Sequence, residues 1–190
     1  MGPTQLPEGE LHAARSLIRP CRDDEADTML AIINSAAEAY RDAIPADCWH
    51  EPYMSAAELQ SEIANGIAFV GCVVGSVLAG VMGIQAVRNV DLIRHAYVLP
   101  AYQGSGVGSA LIAHLRARTV RQMLVGTWAA ATWAIAFYDR KGFQRVPEGT
   151  EPLLLRTYWS ISQRQIETSV VLASPPMNRE DVGEIIAPYR

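Results

Sequence analysis

Three successive β-branched, apolar runs constrain the fold of this chain more than any other feature of its sequence. Only two residues separate each run from the next, Gly75-Ser76 in the first break and Arg88-Asn89 in the second. Breaks of this length join adjacent antiparallel strands through tight turns. We therefore predict a three-stranded β-meander over residues 67–74, 77–87 and 90–99.

Helices and shorter strands are predicted on both sides of this meander. Apolar residues at helical spacing predict helices over 24–40, 106–121 and 132–141, and the capping box Ser55-x-x-Glu58 begins another over 55–65. Short strands are predicted at 17–20, 123–127, 143–146 and 166–173. The segment 147–165 is predicted to be an irregular loop.

The chain is long enough for one medium-sized domain. Of its 190 residues, 49% are hydrophobic and 19% charged, values typical of globular domains rather than disordered or fibrous chains. Residues 1–16 contain scattered prolines and glycines without a sustained period, and Pro175-Pro176 follows the last predicted strand. We therefore predict a flexible leader at 1–16, a domain at 17–174 and a C-terminal tail at 175–190.

Charge and composition disfavour several classes of protein. The net charge of −4 argues against binding DNA or RNA, which usually requires a basic surplus. No apolar stretch approaches the ~18 residues that cross a bilayer, so no membrane association is expected. Cys21, Cys48 and Cys72 are odd in number and widely spaced, which predicts reduced thiols and a cytoplasmic protein. Cys48-Trp49-His50 offers too few ligands for a metal site.

A glycine-rich turn after the third strand of the meander is the segment best suited to binding a ligand. Gly104, Gly106 and Gly108 stand at alternate positions, and a predicted helix follows them. Glycine lets the backbone approach a ligand without a Cβ, and the start of a helix offers unpaired N–H groups to a phosphate. The turn lacks the Gly-Lys-Ser/Thr ending of a P-loop, and its spacing differs from the dinucleotide-binding pattern.

A second motif follows the turn at residues 134–143, Ala-x-x-Phe-Tyr-x-x-x-Gly-Phe. Together with Gln103-x-x-Gly106-x-Gly108, it resembles the GNAT superfamily of N-acetyltransferases, whose signature for acetyl-coenzyme A (acetyl-CoA) reads Gln/Arg-x-x-Gly-x-Gly/Ala. The resemblance extends over the order of elements from about residue 16 to 174. The implied fold is α/β (α+β), with helices flanking a mixed, mostly antiparallel central sheet.

The resemblance implies how acetyl-CoA would bind as the cosubstrate. The backbone of Tyr97, Val98 and Leu99 is expected to pair with the pantetheine arm. Backbone amides of the turn are expected to hold the pyrophosphate, namely those of Gln103, Gly104, Ser105, Gly106, Val107, Gly108 and Ser109. Tyr138 is expected near the thioester sulfur, as the general acid that protonates the departing thiolate. Without the resemblance, Tyr138 would be interpreted as a core aromatic residue.

The sequence departs from the family's pattern at two positions. Ala131 stands where the family often has an asparagine that bonds the pantetheine, and Leu92 stands where it often has an acidic general base. Asp91, one residue away, is expected to face the other side of the sheet. His95 is then the candidate base, because histidine titrates near neutral pH, and a packed structural histidine is the alternative. Arg94 is expected to point away from His95 and to form a salt bridge.

Aromatic residues in two predicted loops are candidates for the acceptor site. Trp49, His50 and Tyr53 follow the first helix, and Tyr158 and Trp159 precede the last strand. In this superfamily both loops cover the acceptor. A closed aromatic pocket favours a small-molecule amine, although a protein amine stays open. A satellite hydrophobic cluster beneath long loops is the structural alternative.

Two further interpretations remain open at this stage. A non-catalytic acyl-CoA sensor, or an interaction module with the same fold, is the alternative to an enzyme, because the strand carboxylate is absent and Ala131 replaces asparagine. The β-rich run 166–172 is predicted to expose a sheet edge, which invites pairing with a second copy and hence a homodimer.

Overall fold

A seven-stranded sheet forms the centre of the protein in this computed structural model, which describes residues 16–189. The strands are β1 (Ser16–Pro20), β2 (Ala68–Val74), β3 (Val77–Val87), β4 (Val90–Val98), β5 (Gln122–Trp128), β6 (Gln144–Arg145) and β7 (Ser169–Ser174). The α-helices are α1 (Ala26–Ala37), α2 (Ala56–Ala64), α3 (Val107–Arg116), α4 (Thr132–Asp139), α5 (Glu151–Tyr158), α6 (Gln163–Glu167) and α7 (Arg179–Ile186). The predicted leader lies outside the described residues except for Ser16, where β1 begins.

The sheet is mixed and mostly antiparallel, as predicted. Its strand order is β1-β2-β3-β4-β5-β7-β6, and β4 and β5 are the parallel pair of the described sheet. The predicted meander is confirmed, because β2 pairs with β3 and β3 with β4 in antiparallel register. The predicted capping box is present as well: the Ser55 side chain accepts from the Glu58 N–H, and the Glu58 carboxylate accepts from the Ser55 N–H.

The two parallel strands separate partway along their length. Val90–Ile93 pair with Gln122–Val125, but β4 continues to Val98 and β5 to Trp128. On their outer sides, β4 stays paired with β3 and β5 with β7. The backbone groups that face the gap therefore have no strand partner, although buried peptide groups need hydrogen bonds. The gap between β4 and β5 is therefore lined by backbone N–H and C=O groups, although the faces of the sheet are apolar.

Apolar clusters cover both faces of the sheet. On one face, α3 packs Leu111 and Ile112 against the strands, and α4 adds Tyr138. On the other face, α1 and α2 form a cluster that includes Ile33, and α5 and α7 form a second one that includes Leu154. Each of the three clusters contributes side chains to the walls of the gap between β4 and β5.

The prediction of an irregular loop over 147–165 is wrong. The segment contains α5 and the start of α6, and α5 buries Leu154 and Leu155 against the sheet. Pro152 lies in the first turn of α5. Proline is tolerated there because the N–H groups of the first turn have no helical partner. Pro152 is therefore compatible with the helix that begins at Glu151.

A helix occupies the segment predicted as a C-terminal tail. The side chain of Asn178 caps α7, accepting from the backbone N–H groups of Glu180 at 2.8 Å and Asp181 at 3.0 Å. Val182 and Ile186 are buried in the cluster that α7 shares with α5. The described part of this segment is thus packed on the same core as the rest of the domain.

β7 differs from its prediction as well, because it is not an edge strand. It lies between β5 and β6, and Gln144 and Arg145 of β6 pair with Ala173 and Leu172. The backbone N–H of Val146 also donates to a β7 carbonyl. The run 166–172 therefore does not expose the edge on which the predicted homodimer depended.

An ion pair at the start of the fold makes stability depend on pH. Arg19 donates to both oxygens of Glu25 at 2.6 and 2.7 Å, and the backbone N–H of Arg22 donates at 2.8 Å. The bond from Arg19, opposed by burial and helped by Arg22, lowers the pKa of Glu25 from 4.5 to about 2. A depressed carboxyl pKa stabilises the fold fully above pH 4.5, and this contribution disappears as the pH falls through 2.

We expect Glu25→Gln to lower the free energy of unfolding by about 2 kcal/mol at pH 7. Urea denaturation at pH 7 and near pH 2 measures the effect, and wild type and variant should converge at the lower pH. Asp24→Asn is the matched control, since Asp24 is exposed and pairs with Arg22 at the surface. It should change stability by less than about 0.5 kcal/mol. A Glu25→Gln deficit that persists near pH 2 would contradict this assignment.

Candidate active site

The gap between β4 and β5 opens into a cavity, here called the central cleft. Its volume is about 150 Å³. Its walls combine the separated strands with aromatic and polar residues, namely residues 93–97 and 125–128, Tyr40, Tyr53, Tyr138, Leu155, Trp159, Ile161, Gln165 and Ser169.

Tyr138 lies at the inner wall of the central cleft. It is 5% exposed, and its ring packs edge-on against Phe137 and Phe143 at centroid distances of 5.1 and 5.5 Å. Its hydroxyl has no hydrogen-bond partner among residues 16–189. Burial, and to a smaller extent Tyr40, raises the pKa of Tyr138 well above its usual range. The phenol therefore keeps its proton at neutral pH, and its hydroxyl can form a hydrogen bond with a ligand in the cleft.

Three more tyrosines form the wall beside Tyr138. The hydroxyl of Tyr97 donates to that of Tyr53 at 2.9 Å, and Tyr40 packs edge-on against Tyr97 at 6.1 Å. Burial raises the pKa of all three, that of Tyr40 to about 12. This side of the cleft consequently presents neutral phenols, each of which supplies a polar hydroxyl without adding charge.

His95 lies where β4 is irregular. Val81 pairs with Tyr97 and Gly83 with Arg94, so two residues of β4, His95 and Ala96, stand opposite one of β3. The extra residue is a β-bulge, and His95 adopts a left-handed conformation with φ of 48°. The imidazole lines the central cleft and stacks on Phe69 with centroids 6.0 Å apart.

The bulge brings Arg94 and His95 to the same carboxylate. Glu62 Oε2, on α2, lies 3.0 Å from Arg94 Nη2 and 3.3 Å from His95 Nε2. The predicted salt bridge of Arg94 is confirmed, but the prediction that Arg94 points away from His95 is wrong, because the bulge breaks the strict alternation of the strand. Sequence reasoning missed Glu62 entirely, since it stands 32 residues before Arg94.

No acidic side chain of β4 reaches the central cleft. Asp91 is buried, pairs with Arg121 at 3.1 Å and accepts from the hydroxyl of Thr119, so it is held by the chain that leads into β5. Leu92 is fully buried in the apolar cluster beneath α5 and α7. Ala131, which is also buried, precedes α4 and presents only a methyl group.

The glycine-rich turn leads into α3 through two glycines in a left-handed conformation. Gly104 and Gly106 have φ of 78° and 91°, the left-handed region that side chains disfavour. Gly106 is the N-cap of α3, and no side chain caps this helix end. Within the described residues, the backbone N–H groups of residues 106–109 have no backbone acceptor. The turn thus presents a set of free donors at a positive helix end.

Other residues of the turn have structural roles. Gln103 donates to the carbonyl of Val98 at 3.2 Å, and the Ser105 hydroxyl donates to the carbonyl of Tyr102 at 2.5 Å. A Cβ on Gly108 would lie 3.3 Å from the ring of Phe137, so Gly108 is needed for the packing of α3 on α4. Gly106 has open space around it, so its left-handed backbone conformation is the reason for glycine at this position.

A second cavity, here called the annex, adjoins the central cleft. The two share Tyr53, His95, Trp128 and Gln165. The annex is otherwise lined by Asp47, Cys48, Trp49, His50, Met54, Glu58, Glu62 and Ser162. It carries three carboxylates and, among the described residues, no lysine or arginine in its lining. Asp47 pairs at the rim with Arg164 at 3.2 Å.

Four of the five predicted acceptor residues lie around these cavities. The rings of Trp49 and Tyr53 pack at a tilt of 35° with centroids 5.5 Å apart, His50 lines the annex, and Trp159 lines the central cleft. Tyr158 is not part of either cavity. Its side chain is buried on the side of α7, and its hydroxyl donates to the carbonyl of Ile185 at 2.9 Å. Its position in α5, instead of in a loop, turns it away from Trp159.

Residues 16–189 contain neither a cluster of potential metal ligands nor a membrane-spanning helix. No three histidine, cysteine, aspartate or glutamate side chains in this range come close enough to hold a metal ion. The longest helix in the range, α1, has 12 residues, and none of the helices there has the length and hydropathy of a membrane span.

A family model places the chain in a known class of proteins. The model of the acetyltransferase (GNAT) domain matches residues 24–152. The chain therefore belongs to the GNAT acetyltransferase family, in agreement with the central cleft, the glycine-rich turn and the mixed sheet described above. No curated protein matches the sequence significantly.

Solved structures with the same fold include enzymes bound to coenzyme A. The PaiA N-acetyltransferase of Thermoplasma acidophilum, in complex with coenzyme A, aligns with a TM-score of 0.62 and 16% identity over 84% of this chain and 98% of that one. The ribosomal-protein-S18-alanine N-acetyltransferase of Escherichia coli aligns with a TM-score of 0.60 and 19% identity over 84% and 92%. A GNAT family acetyltransferase of Brucella melitensis, in complex with acetyl-CoA, aligns with 0.52 and 19% over 69% and 84%. At these identities the likeness is one of fold.

Proposed function

We propose that this protein transfers the acetyl group of acetyl-CoA directly to an amine. The observation that carries the proposal is the hydroxyl of Tyr138, which is protonated, has no partner among residues 16–189 and lines a cleft between separated strands. A hydroxyl that lines a cavity without a protein partner is available to a bound ligand. Membership of the GNAT family supports acyl transfer as that use.

Acetyl-CoA is proposed to bind across the glycine-rich turn and along β4. The free N–H groups of residues 106–109 suit a pyrophosphate, and Gln103, Gly104 and Ser105 complete the turn around it. The edge of β4 at Tyr97 and Val98 is proposed to pair with an extended amide-bearing arm such as pantetheine, which would replace the Gln103 side chain at the Val98 carbonyl. Since Leu99 donates its N–H to Ala79 of β3, its contribution would be its carbonyl or its side chain.

The proposed chemistry needs one proton acceptor and one proton donor. His95 removes a proton from the ammonium form of the acceptor, so that the neutral nitrogen attacks the thioester carbonyl. Free N–H groups along the gap stabilise the negative charge that develops on the carbonyl oxygen. As the carbon–sulfur bond breaks, Tyr138 donates its proton to the departing thiolate. The attacking nitrogen then loses its second proton, which restores the hydroxyl of Tyr138 directly or through water, and His95 returns its proton to solvent. Acetylated amine and coenzyme A leave, and no covalent enzyme intermediate is required.

The acceptor is proposed to be a small-molecule amine that enters through the annex. Asp47 pairs with Arg164 and Glu62 with Arg94, so Glu58 is the annex carboxylate best placed to attract a cationic ammonium. The rings of Trp49 and Tyr53 suit the apolar part of such an amine. A protein amine is the competing acceptor. The proposal includes a cytoplasmic location, where reduced cysteines such as Cys21 are the rule.

Calorimetric titration with acetyl-CoA, followed by release of free thiol over a panel of amines, tests the proposal. We expect micromolar binding and thiol release with at least one small amine. Binding without release by any small amine or peptide N-terminus would favour the alternative of an acyl-CoA sensor, for which the methyl group of Ala131 in place of a polar side chain is the supporting feature. Absence of binding would overturn the assignment of the cosubstrate.

A further inference from the structure

A carboxylate on α2 is held against the proposed base. We propose that Glu62 is a positioning residue, which orients His95 and stabilises its protonated form during turnover. The inference rests on the proposed function, because it assumes that His95 accepts the proton of the acceptor amine. It adds a residue from a helix that carries neither of the two sequence motifs.

The bulge in β4 holds the backbone of His95 in a strained conformation. A left-handed backbone at a residue other than glycine costs about 1–3 kcal/mol and persists where the surroundings enforce it. His95 has this conformation, with φ of 48°. Regular pairing would instead leave Arg94 and His95 on opposite faces of the sheet. The bulge therefore redirects the imidazole towards Glu62, as bulges beside active sites commonly do for a side chain.

The carboxylate of Glu62 lies in contact with the imidazole of His95. Glu62 Oε2 lies 3.3 Å from His95 Nε2, and the N–H direction is not yet aligned, so Nε2 is a buried atom without a formal hydrogen bond. Catalytic hydrogen bonds are often poorly aligned before substrate binds. The contact with His95 is the largest cause that lowers the pKa of Glu62, against the opposing effect of burial and with help from Arg94. Glu62 is therefore ionised beside the imidazole.

The other ring nitrogen of His95, Nδ1, is open to the cavities. Nδ1 has no hydrogen-bond partner among residues 16–189, and it is not among the fully buried unpaired atoms there. The ring lines both the central cleft and the annex, so Nδ1 has access to their common space. With Nε2–H directed at Glu62, Nδ1 carries the lone pair that accepts the acceptor's proton, directly or through water. The resulting imidazolium donates from Nε2 to Glu62 and from Nδ1 into the cleft.

Arg94 explains why the charge of Glu62 matters. Its guanidinium donates to Glu62 at 3.0 Å and to Gln85 at 2.8 Å, which fixes a positive charge next to the imidazole. Without a carboxylate between them, this charge would oppose protonation of His95. The other ionisable groups that share a cavity with the imidazole are Tyr40, Asp47, Cys48, His50, Tyr53, Glu58, Tyr97 and Tyr138.

Glu62→Gln tests the inference through the pH profile of kcat/KM for the best amine. We expect the plateau to fall about tenfold, because the imidazole is no longer held with Nδ1 towards the acceptor. The KM for acetyl-CoA should stay unchanged. His95→Ala should remove the limb. Glu51→Gln is the control, since Glu51 also pairs with an arginine, Arg41, but lies outside both cavities.

A Glu62→Gln profile identical to the wild type would overturn the inference. An equal fall of the plateau in Glu51→Gln would also overturn it, because the effect would then be one of general surface charge. Retention of the acidic limb in His95→Ala would show that the titrating base is another group, and the role of Glu62 would fall with it.

Nitrogen-15 spectra of the imidazole supply a readout that does not require activity. In the wild type, above the acidic limb, we expect neutral His95 to carry its proton on Nε2, and in Glu62→Gln we expect a mixture of both tautomers. A wild-type His95 protonated on Nδ1 would overturn the inference even if the enzyme is active. If no amine is acetylated but the Nε2–H tautomer is found, the proposed function fails while the contact between Glu62 and His95 stands.

Discussion

Gly106→Val should weaken acetyl-CoA binding more than a hundredfold while the protein remains folded. Gly106 has φ of 91°, and a β-branched residue is strongly disfavoured in that region. A Cβ at this position would meet no atom within 4 Å, so the substitution causes no clash in the unliganded protein. The backbone would relax out of the left-handed region instead, and this relaxation would misplace the free N–H groups at the start of α3.

Calorimetry with acetyl-CoA measures the loss, and Gly66→Val is the matched control. Gly66 has the same φ of 91° and the same open surroundings, but it follows α2 and lines neither cavity. Both variants should lose a similar amount of stability, about 1–3 kcal/mol, from the same backbone strain. Only Gly106→Val should lose binding. Undiminished binding by Gly106→Val would remove the turn from the cosubstrate site.

Gly108 is the less informative position for such a test. Its missing Cβ makes room for Phe137, which adjoins Tyr138 on α4. Valine there would push α3 and α4 apart, and a loss of binding would then have two causes. The structure therefore separates two glycines that look equivalent in the motif.

Tyr138→Phe should lower kcat by about 10²–10⁴ and leave the KM for acetyl-CoA nearly unchanged. The hydroxyl is expected to act on the departing thiolate, which carries charge in the transition state rather than in the bound ground state. Because the hydroxyl has no partner among residues 16–189, its removal should not reduce stability. Single-turnover kinetics and thermal unfolding measure the two quantities.

Tyr158→Phe is the control for this substitution, and it should give the reverse result. Tyr158 is another buried tyrosine on a short helix, but its hydroxyl bonds Asn89 at 2.8 Å and the carbonyl of Ile185 at 2.9 Å, away from the central cleft. Its loss should cost about 1 kcal/mol of stability and leave kcat unchanged. Equal kcat values for wild type and Tyr138→Phe would exclude Tyr138 as the general acid.

Features that depend on neighbouring residues were predictable from the sequence. The meander follows from two-residue breaks between β-branched runs, and the turn follows from glycines ahead of a helix. In both cases the deciding interactions lie within a few residues of one another. The α7 helix carries a comparable local signal, Asn178-x-x-Asp181, which forms a capping box and which the double proline before it obscured.

Features that depend on register were not predictable. The bulge at His95 inserts one residue into β4, and nothing in the composition of residues 90–99 marks its position. Every inference about which side chains share a face fails beyond such a point, as the expectation for Arg94 did. The role of Glu62 could not be predicted for a related reason. In the sequence of α2 it resembles any solvent-facing acidic residue, and only the tertiary fold places it beside Arg94.

The separation of β4 from β5 links cosubstrate and stability. Most folded domains confine unpaired strand edges to their periphery. Here two such edges face each other in the interior, so whichever molecule occupies the space between them completes the sheet. A ligand that binds the native state alone stabilises it by about 2.7 kcal/mol at a hundred times its Kd. If acetyl-CoA binds in this gap as proposed, the free energy of unfolding of the chain will rise with the concentration of acetyl-CoA.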